Sequence, residues 1–272
     1  VIASEAKQSP SRDVEIASSQ SFDSASLRSG SLLATLAPHA SAGVTQAKLI
    51  FLANPSNPDG GMASRAEIER LLALPVMLVL DEAYAEFAGE SYAARVPTQS
   101  NLIVLRTFSK WAGLASLRVG YCIAPQPIAA KILQIKAPEN VNSAGIMAAL
   151  ASLDDHEYLM ANVRRIIEER ERLSVALAQL GFLQPLPSHA NFVLCRVVGR
   201  DARQIYNALA ARGILIRVFG LPRLRDYIRI AVGTPEQNEI LVKALKELDA
   251  DKRGPLHRPH TCPGGNASAR EG

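Results

Sequence analysis

Three short apolar runs constrain this chain more than any other feature: "AKLIFLA" (47–53), "VMLVL" (76–80) and "LIVL" (102–105). Each is too short for a buried helix and reads as a strand covered on both faces, the signature of a parallel sheet. Parallel strands need crossover connections, and the segments between them supply helices. "SRAEIERLLAL" opens on Ser64 with Glu67 three residues on, a capping box. Alternation of this kind predicts an α/β sheet with helices on its faces.

The pattern changes after about residue 145. "HEYLMANVRRIIEERERLSVALAQLG" carries Leu159, Val163, Ile166, Ile167, Leu173 and Leu177 on one helical stripe. Glu168 is expected to pair with Arg172, and Gly181 to stop the helix. A strand "NFVLCRV", a helix "DARQIYNALAARG", two strands "ILIRVF" and "DYIRIAV" and a last helix follow. That helix is capped by Thr234 with Gln237 at its third position. The expected organisation is a leader (1–46), a partial large domain (47–148), a small α+β domain (149–249) and a tail (250–272). Residues 1–46 are dense in serine without a persistent period and read as disordered or foreign to the domain; the tail is rich in Pro, Gly and charge and reads as disordered.

Composition excludes several classes. The net charge of +4 is spread among 26 acidic residues, with no basic run interleaved with aromatics, so no nucleic-acid partner is expected. No run spans a bilayer, and "VIASEAKQSPSRD" lacks the apolar segment of a secretory signal. Cys122, Cys195 and Cys262 form neither a disulfide framework nor a C-x-x-C pair, which points to a reducing cytoplasm. His257, His260 and Cys262 lack a fourth ligand, so no metal is expected.

Polar clusters follow the apolar runs, where ligands of open α/β sheets bind. They are "NPSNPDGG", Asp81 in "VLDEAY", "TFSK", and Arg118 a short way on. A lysine at a strand end can capture an aldehyde. Pyridoxal phosphate is an aldehyde cofactor whose ring nitrogen must stay protonated, a task for a carboxylate such as Asp81. Its phosphate suits Ser109 and Arg118, and its phenolic oxygen suits Asn57 and Tyr84. Lys110 would be the capturing amine.

With "NPSNPDGG", "LVLDEAYAEF", "TFSKWAGLASLRVGY", "APENVNS" and "YIRIAVGT" in this order, the chain resembles the fold-type I, pyridoxal-phosphate-dependent aminotransferases of class I/II, the histidinol-phosphate branch above all. The likeness runs from about Ala47 to Asp249. It implies catalysis by Lys110, which moves a proton between the substrate Cα and cofactor C4′. It implies cofactor contacts from Asn57, Asp81, Tyr84, Ser109 and Arg118, with Thr107 as a helper. It implies substrate contacts from Arg229, Arg217 and Asn142: the arginines for carboxylate or phosphate, the asparagine in the pocket wall. A small-molecule substrate and a homodimer are implied too.

Two departures stand out. Asp59 replaces the family's usual threonine at a turn, where a mild effect is expected. The family's front portion, with a phosphate-binding glycine loop and a stacking aromatic, has no counterpart in 1–46, so the chain reads as a truncated member joined to unrelated residues. The alternatives to an active aminotransferase are a non-catalytic remnant, a pyridoxal-phosphate-binding regulator, and a phosphothreonine-type decarboxylase with the same cofactor residues.

Overall fold

The three apolar runs do form one sheet. In the computed structural model, which describes residues 47–252, β1 (Leu49–Ala53), β2 (Met77–Asp81) and β3 (Leu102–Thr107) lie side by side in parallel, and β4 (Gly120–Ile123) closes the edge antiparallel to β3. The register sets Ala53 beside Asp81 and Asp81 beside Leu105, so β1 and β2 finish level and β3 runs on to Thr107 at the same edge. The turns that follow them therefore emerge at one edge.

Helix α1 (Arg65–Leu72) connects β1 to β2 and starts on the expected capping box: the Ser64 N–H donates to Glu67 Oε2 at 2.7 Å and the Glu67 N–H to Ser64 Oγ at 3.3 Å. Its Ile68 and Leu71 pack with Ile50, Leu78, Leu80, Leu102 and Val104 in the first core. Short helix α2 (Ala85–Ala88) follows β2 directly. Helices α3 (Gln126–Ile135) and α4 (Ser143–Asp154) come after β4, and α4 runs into the long α5 (His156–Ala178).

The second sheet is antiparallel throughout, ordered β5 (Leu183–Pro185), β6 (Phe192–Val197), β8 (Tyr227–Ala231), β7 (Arg217–Val218). Helices α6 (Ala202–Ala210) and α7 (Pro235–Lys252) join α5 around it. Leu173, Leu177, Val193, Ile205, Leu209, Ile228 and Leu245 form its core. Thr234 and Gln237 cap α7 reciprocally, as the sequence indicates.

Three local readings are corrected. Arg172 pairs with Glu169 at 2.6 Å, one residue closer than Glu168, because i,i+3 neighbours share a helix face as well as i,i+4 ones. Helix α5 ends at Ala178, ahead of Gly181. Only Arg217 and Val218 of "ILIRVF" pair as a strand. The expectations for 1–46, and for His257, His260 and Cys262, lie outside the described residues. Among the described residues no helix is long and apolar enough to cross a membrane, and no cluster of His, Cys, Asp and Glu could hold a metal ion.

Candidate functional site

The site is assembled where the strand ends of the first sheet meet the second. The loop after β1 is pinned at its base by Asn54: its N–H donates to the Asp81 carbonyl at 2.9 Å, and its side-chain oxygen accepts from the Ala63 N–H at 2.8 Å. Gly60 lies in the same loop with φ +76°, and a Cβ there would sit 2.1 Å from Ser188 Oγ. Only glycine lets the loop approach this closely. The His189 N–H then donates to the Gly60 carbonyl at 2.7 Å, a direct bond between the two sheets' connections.

That joint carries Asn57 to the second sheet. The Asn57 amide donates to the Tyr84 hydroxyl at 3.5 Å, and its oxygen accepts from Arg229. Arg229, on β8, lies with its guanidinium carbon 4.8 Å above the Phe192 ring. Phe192 in turn meets Tyr84 edge-on, centroids 5.4 Å apart. Burial lowers the Arg229 proton affinity; Tyr84 opposes the shift and Arg217 adds to it. Arg217 stands directly opposite Arg229 in the β7–β8 register. Like charges facing each other across strands repel, so this pair is suited to an anion.

Lys110 follows β3 in a loop closed at both ends. The Phe108 N–H donates to the Val119 carbonyl at 3.1 Å, and the Thr107 hydroxyl donates to the same carbonyl at 3.2 Å while accepting from the Ser109 N–H at 3.0 Å. Phe108 and Trp111 pack together at 5.5 Å, with Trp111 edge-on to His156 at 5.9 Å. The loop's core side is thus fixed while Lys110 stays exposed. Its Nζ is 5.6 Å from the Tyr84 ring centroid.

Asp81 opens to solvent on one side and is hemmed in by the strand ends on the other. The partial desolvation raises its carboxyl above the ordinary aspartate value of 3.8, against the pull of the Ala83 N–H it accepts and of Lys110. Tyr84 is buried, and burial raises its hydroxyl as well, with Arg229 opposing, Asp81 reinforcing and the Asn57 bond opposing the shift.

Arg118 closes the lysine loop in the left-handed region, φ 56° and ψ 45°, exposed and bonded to the Ala115 carbonyl at 3.0 Å. Both ends of the Asn142 amide are engaged: it caps α4 through the Gly145 N–H at 2.7 Å and donates to the Leu117 carbonyl at 3.0 Å. It thereby ties the start of α4 to the backbone just before Arg118.

Asn57, Tyr84 and Arg229 are thus linked by hydrogen bonds, Lys110 lies against the Tyr84 ring, and Asp81 acts on Lys110 and Tyr84 through their charges. Among the described residues, Lys110, Arg118, Arg217 and Arg229 have no carboxylate within ion-pair distance. Sequence reasoning missed Phe192 and the Gly60–Ser188 joint. The "DGG" turn was the only signal for the second, and an aromatic at a strand start gave none for the first.

Residues 7–245 match the family model described as aminotransferase class I and II. A histidinol-phosphate aminotransferase of Roseiflexus castenholzii is 53% identical over 205 residues, covering 74% of this chain and 55% of the relative. A solved histidinol-phosphate aminotransferase from Sinorhizobium meliloti, in complex with pyridoxal-5'-phosphate, superposes with a TM-score of 0.69 at 35% identity over 78% of this chain and 60% of that one. An L-threonine-O-3-phosphate decarboxylase from Porphyromonas gingivalis gives 0.68 at 29% identity, over 75% and 65%. The chain spans about half the length of the curated relatives it matches. With a family match over most of its length and a fold shared with these enzymes, the chain belongs to the class I and II aminotransferases.

Proposed function

We propose that this chain carries the pyridoxal-phosphate site of a histidinol-phosphate aminotransferase, transferring an amino group between glutamate and imidazole-acetol phosphate. The observation that carries the reading is Lys110, an exposed primary amine 5.6 Å from the Tyr84 ring, within the electrostatic reach of Asp81. The residues fit the cofactor's charges: a carboxylate at one strand end within reach of Lys110, and Lys110, Arg118, Arg217 and Arg229 with no carboxylate at ion-pair distance among the described residues.

When bound, pyridoxal phosphate supplies an aldehyde carbon open to amines and a protonated ring that withdraws electrons from the substrate Cα. Lys110 would provide the amine that holds the cofactor and would be the base placed to move a proton at the substrate Cα. Asp81 would hold the proton on the ring nitrogen, and a cation beside it would oppose the upward shift that desolvation gives its carboxyl. Tyr84 and Asn57 orient the ring through its phenolic oxygen. Ser109 and Arg118 bind the phosphate, and Thr107 assists by shaping the loop. Arg229 and Arg217 grip the substrate's carboxylate or phosphate. Asn142 acts through the Leu117 carbonyl. The same reading gives a homodimer working in the cytoplasm, where Cys122 and Cys195 remain free thiols.

The decarboxylase reading is favoured by one observation, the structural likeness to the Porphyromonas enzyme. The test is an absorbance spectrum with added pyridoxal phosphate, beside Lys110→Ala. A visible band lost in Lys110→Ala supports the site; release of carbon dioxide in place of amine transfer would select the decarboxylase. No band in either protein would make the motifs a record of ancestry.

A further inference from the structure

Directly behind the candidate site lies a buried ion cluster that the proposed chemistry does not use. Glu82 follows Asp81 and Arg106 precedes Thr107, and successive residues of an extended chain face opposite ways. Asp81 is exposed while Glu82 is 1% exposed. Glu82 accepts from the Ser91 hydroxyl and from the Tyr92 N–H, both at 2.6 Å. One Arg106 nitrogen donates to Glu82 at 3.2 Å and to Ser91 Oγ at 3.0 Å; the other donates to Glu86 at 2.7 Å. Glu86 belongs to α2, whose N-terminal neighbour is Tyr84.

Stability alone does not account for this cluster. Two carboxylates share one guanidinium, and both Glu86 Oε2 and Arg106 Nε are buried with no hydrogen-bond partner among the described residues. Buried ion pairs seldom outdo apolar packing, and unpartnered buried polar atoms are costly. The cluster's distinction is its place. Arg106 is the chain neighbour of Thr107, whose hydroxyl fixes Ser109; Glu82 is the neighbour of Asp81; Glu86 sits just beyond Tyr84.

We propose that Arg106 is a positioning residue. Its planar fork sets the spacing between the turn bearing Asp81 and Tyr84 and the loop bearing Ser109 and Lys110. The inference rests on the reading of those residues as a pyridoxal-phosphate site. Lysine at position 106 keeps the charge but cannot bridge two acids in a fixed plane.

The test compares Arg106→Lys and Arg106→Gln with Arg200→Lys in the whole chain. Arg200 is a control in the connection that follows β6 of the second sheet, 11% exposed and paired with Asp249 at 2.6 Å. Two quantities are read: residue-resolved amide hydrogen exchange without ligand, and pyridoxal phosphate affinity from the visible band. Arg106→Lys is expected to speed exchange at the Ala83 and Ser109 amides, whose bonds lie inside the two site loops, and to weaken affinity by about tenfold, the scale typical of groups that orient a ligand's direct contacts. Arg106→Gln does the same more strongly, and Arg200→Lys does neither. Exchange that rises evenly over the whole sheet overturns the proposal, as does unchanged affinity despite faster Ala83 and Ser109 exchange. If the unaltered chain forms no visible band while Arg106→Lys still loosens those two amides alone, the clamp stands and the cofactor reading falls.

Discussion

The two sheets divide the work of this molecule unequally. The first carries Asn57, Asp81, Tyr84, Ser109, Lys110 and Arg118, yet leaves much apolar surface open. Phe51 on its edge strand is 42% exposed, α3 contains no buried residue, and α4 turns Ile146, Met147, Leu150 and Leu153 outward. The second carries Arg217 and Arg229 over a larger core, with Leu177, Leu194, Leu209, Ile228 and Leu245 fully buried, and exposes its large apolar side chains more singly, as at Val175, Leu215, Leu221 and Ile240. Open apolar faces of this size mark surfaces that meet other protein. The candidate site residues thus gather mainly on the sheet whose helices leave the more apolar surface exposed among the described residues.

The largest expected effect tests that division. Leu177→Ala removes a fully buried side chain from the second core and is expected to cost about 2–5 kcal/mol in urea unfolding. Leu150→Ala, at a position 53% exposed, is expected to change stability by less than about 0.5 kcal/mol. An equal cost at both positions would show α4 to be a core helix already and break the comparison.

The joint between the halves comes next. Gly60→Ala places a methyl group against Ser188 in a backbone conformation that L-residues rarely adopt. The expected cost is about 1–3 kcal/mol. It should fall on the contact between sheets, so that a single unfolding transition becomes two. A uniform loss with one transition would mean that the sheets are held together elsewhere, as by Arg170, which is buried and donates to the Phe87 and Ala190 carbonyls.

Legibility in the sequence followed the range of the interaction. Asp81 and Lys110 could be placed at strand ends because apolar run, then polar cluster, is a local pattern that the parallel register turns into a shared edge. The Ser64 and Thr234 caps were legible for the same reason: both partners lie within one turn. Phe192 was not, since its place between Tyr84 and Arg229 depends on how the two sheets meet. The motif around Asn142 gave no sign that Gly145 and Leu117 occupy its amide, since Leu117 is distant in sequence. Asp59 is the sharpest case. A turn position suggested a mild effect, but this residue is 6% exposed, with Oδ1 buried and unpartnered among the described residues. Asp59→Asn replaces a buried carboxyl with an amide whose nitrogen can donate, and is expected to stabilise the chain by about 1 kcal/mol, seen as a higher urea midpoint. A loss of stability would identify an unrecognised cation beside Asp59.

The smallest effect separates chemistry from stability at one residue. The Asp81 carboxyl is raised in the folded chain, so the folded state binds its proton more tightly than the unfolded state does. Its contribution is therefore most favourable below the ordinary aspartate value and declines as pH rises through the raised one. Asp81→Asn removes that decline, so the ligand-free variant should be slightly more stable than the parent at neutral pH and show a flatter pH profile. Added pyridoxal phosphate should reverse the order. On the proposed reading, a protonated ring nitrogen beside Asp81 would restore the value of its charge, and ligand that binds only the folded chain would stabilise the parent by mass action. The variant, lacking the carboxylate, should gain little. Urea midpoints of both proteins across this pH range, with and without the ligand, read all four states. If the variant is the less stable without ligand, the Asp81 carboxylate is a structural anion, and the first sheet depends on it for more than chemistry.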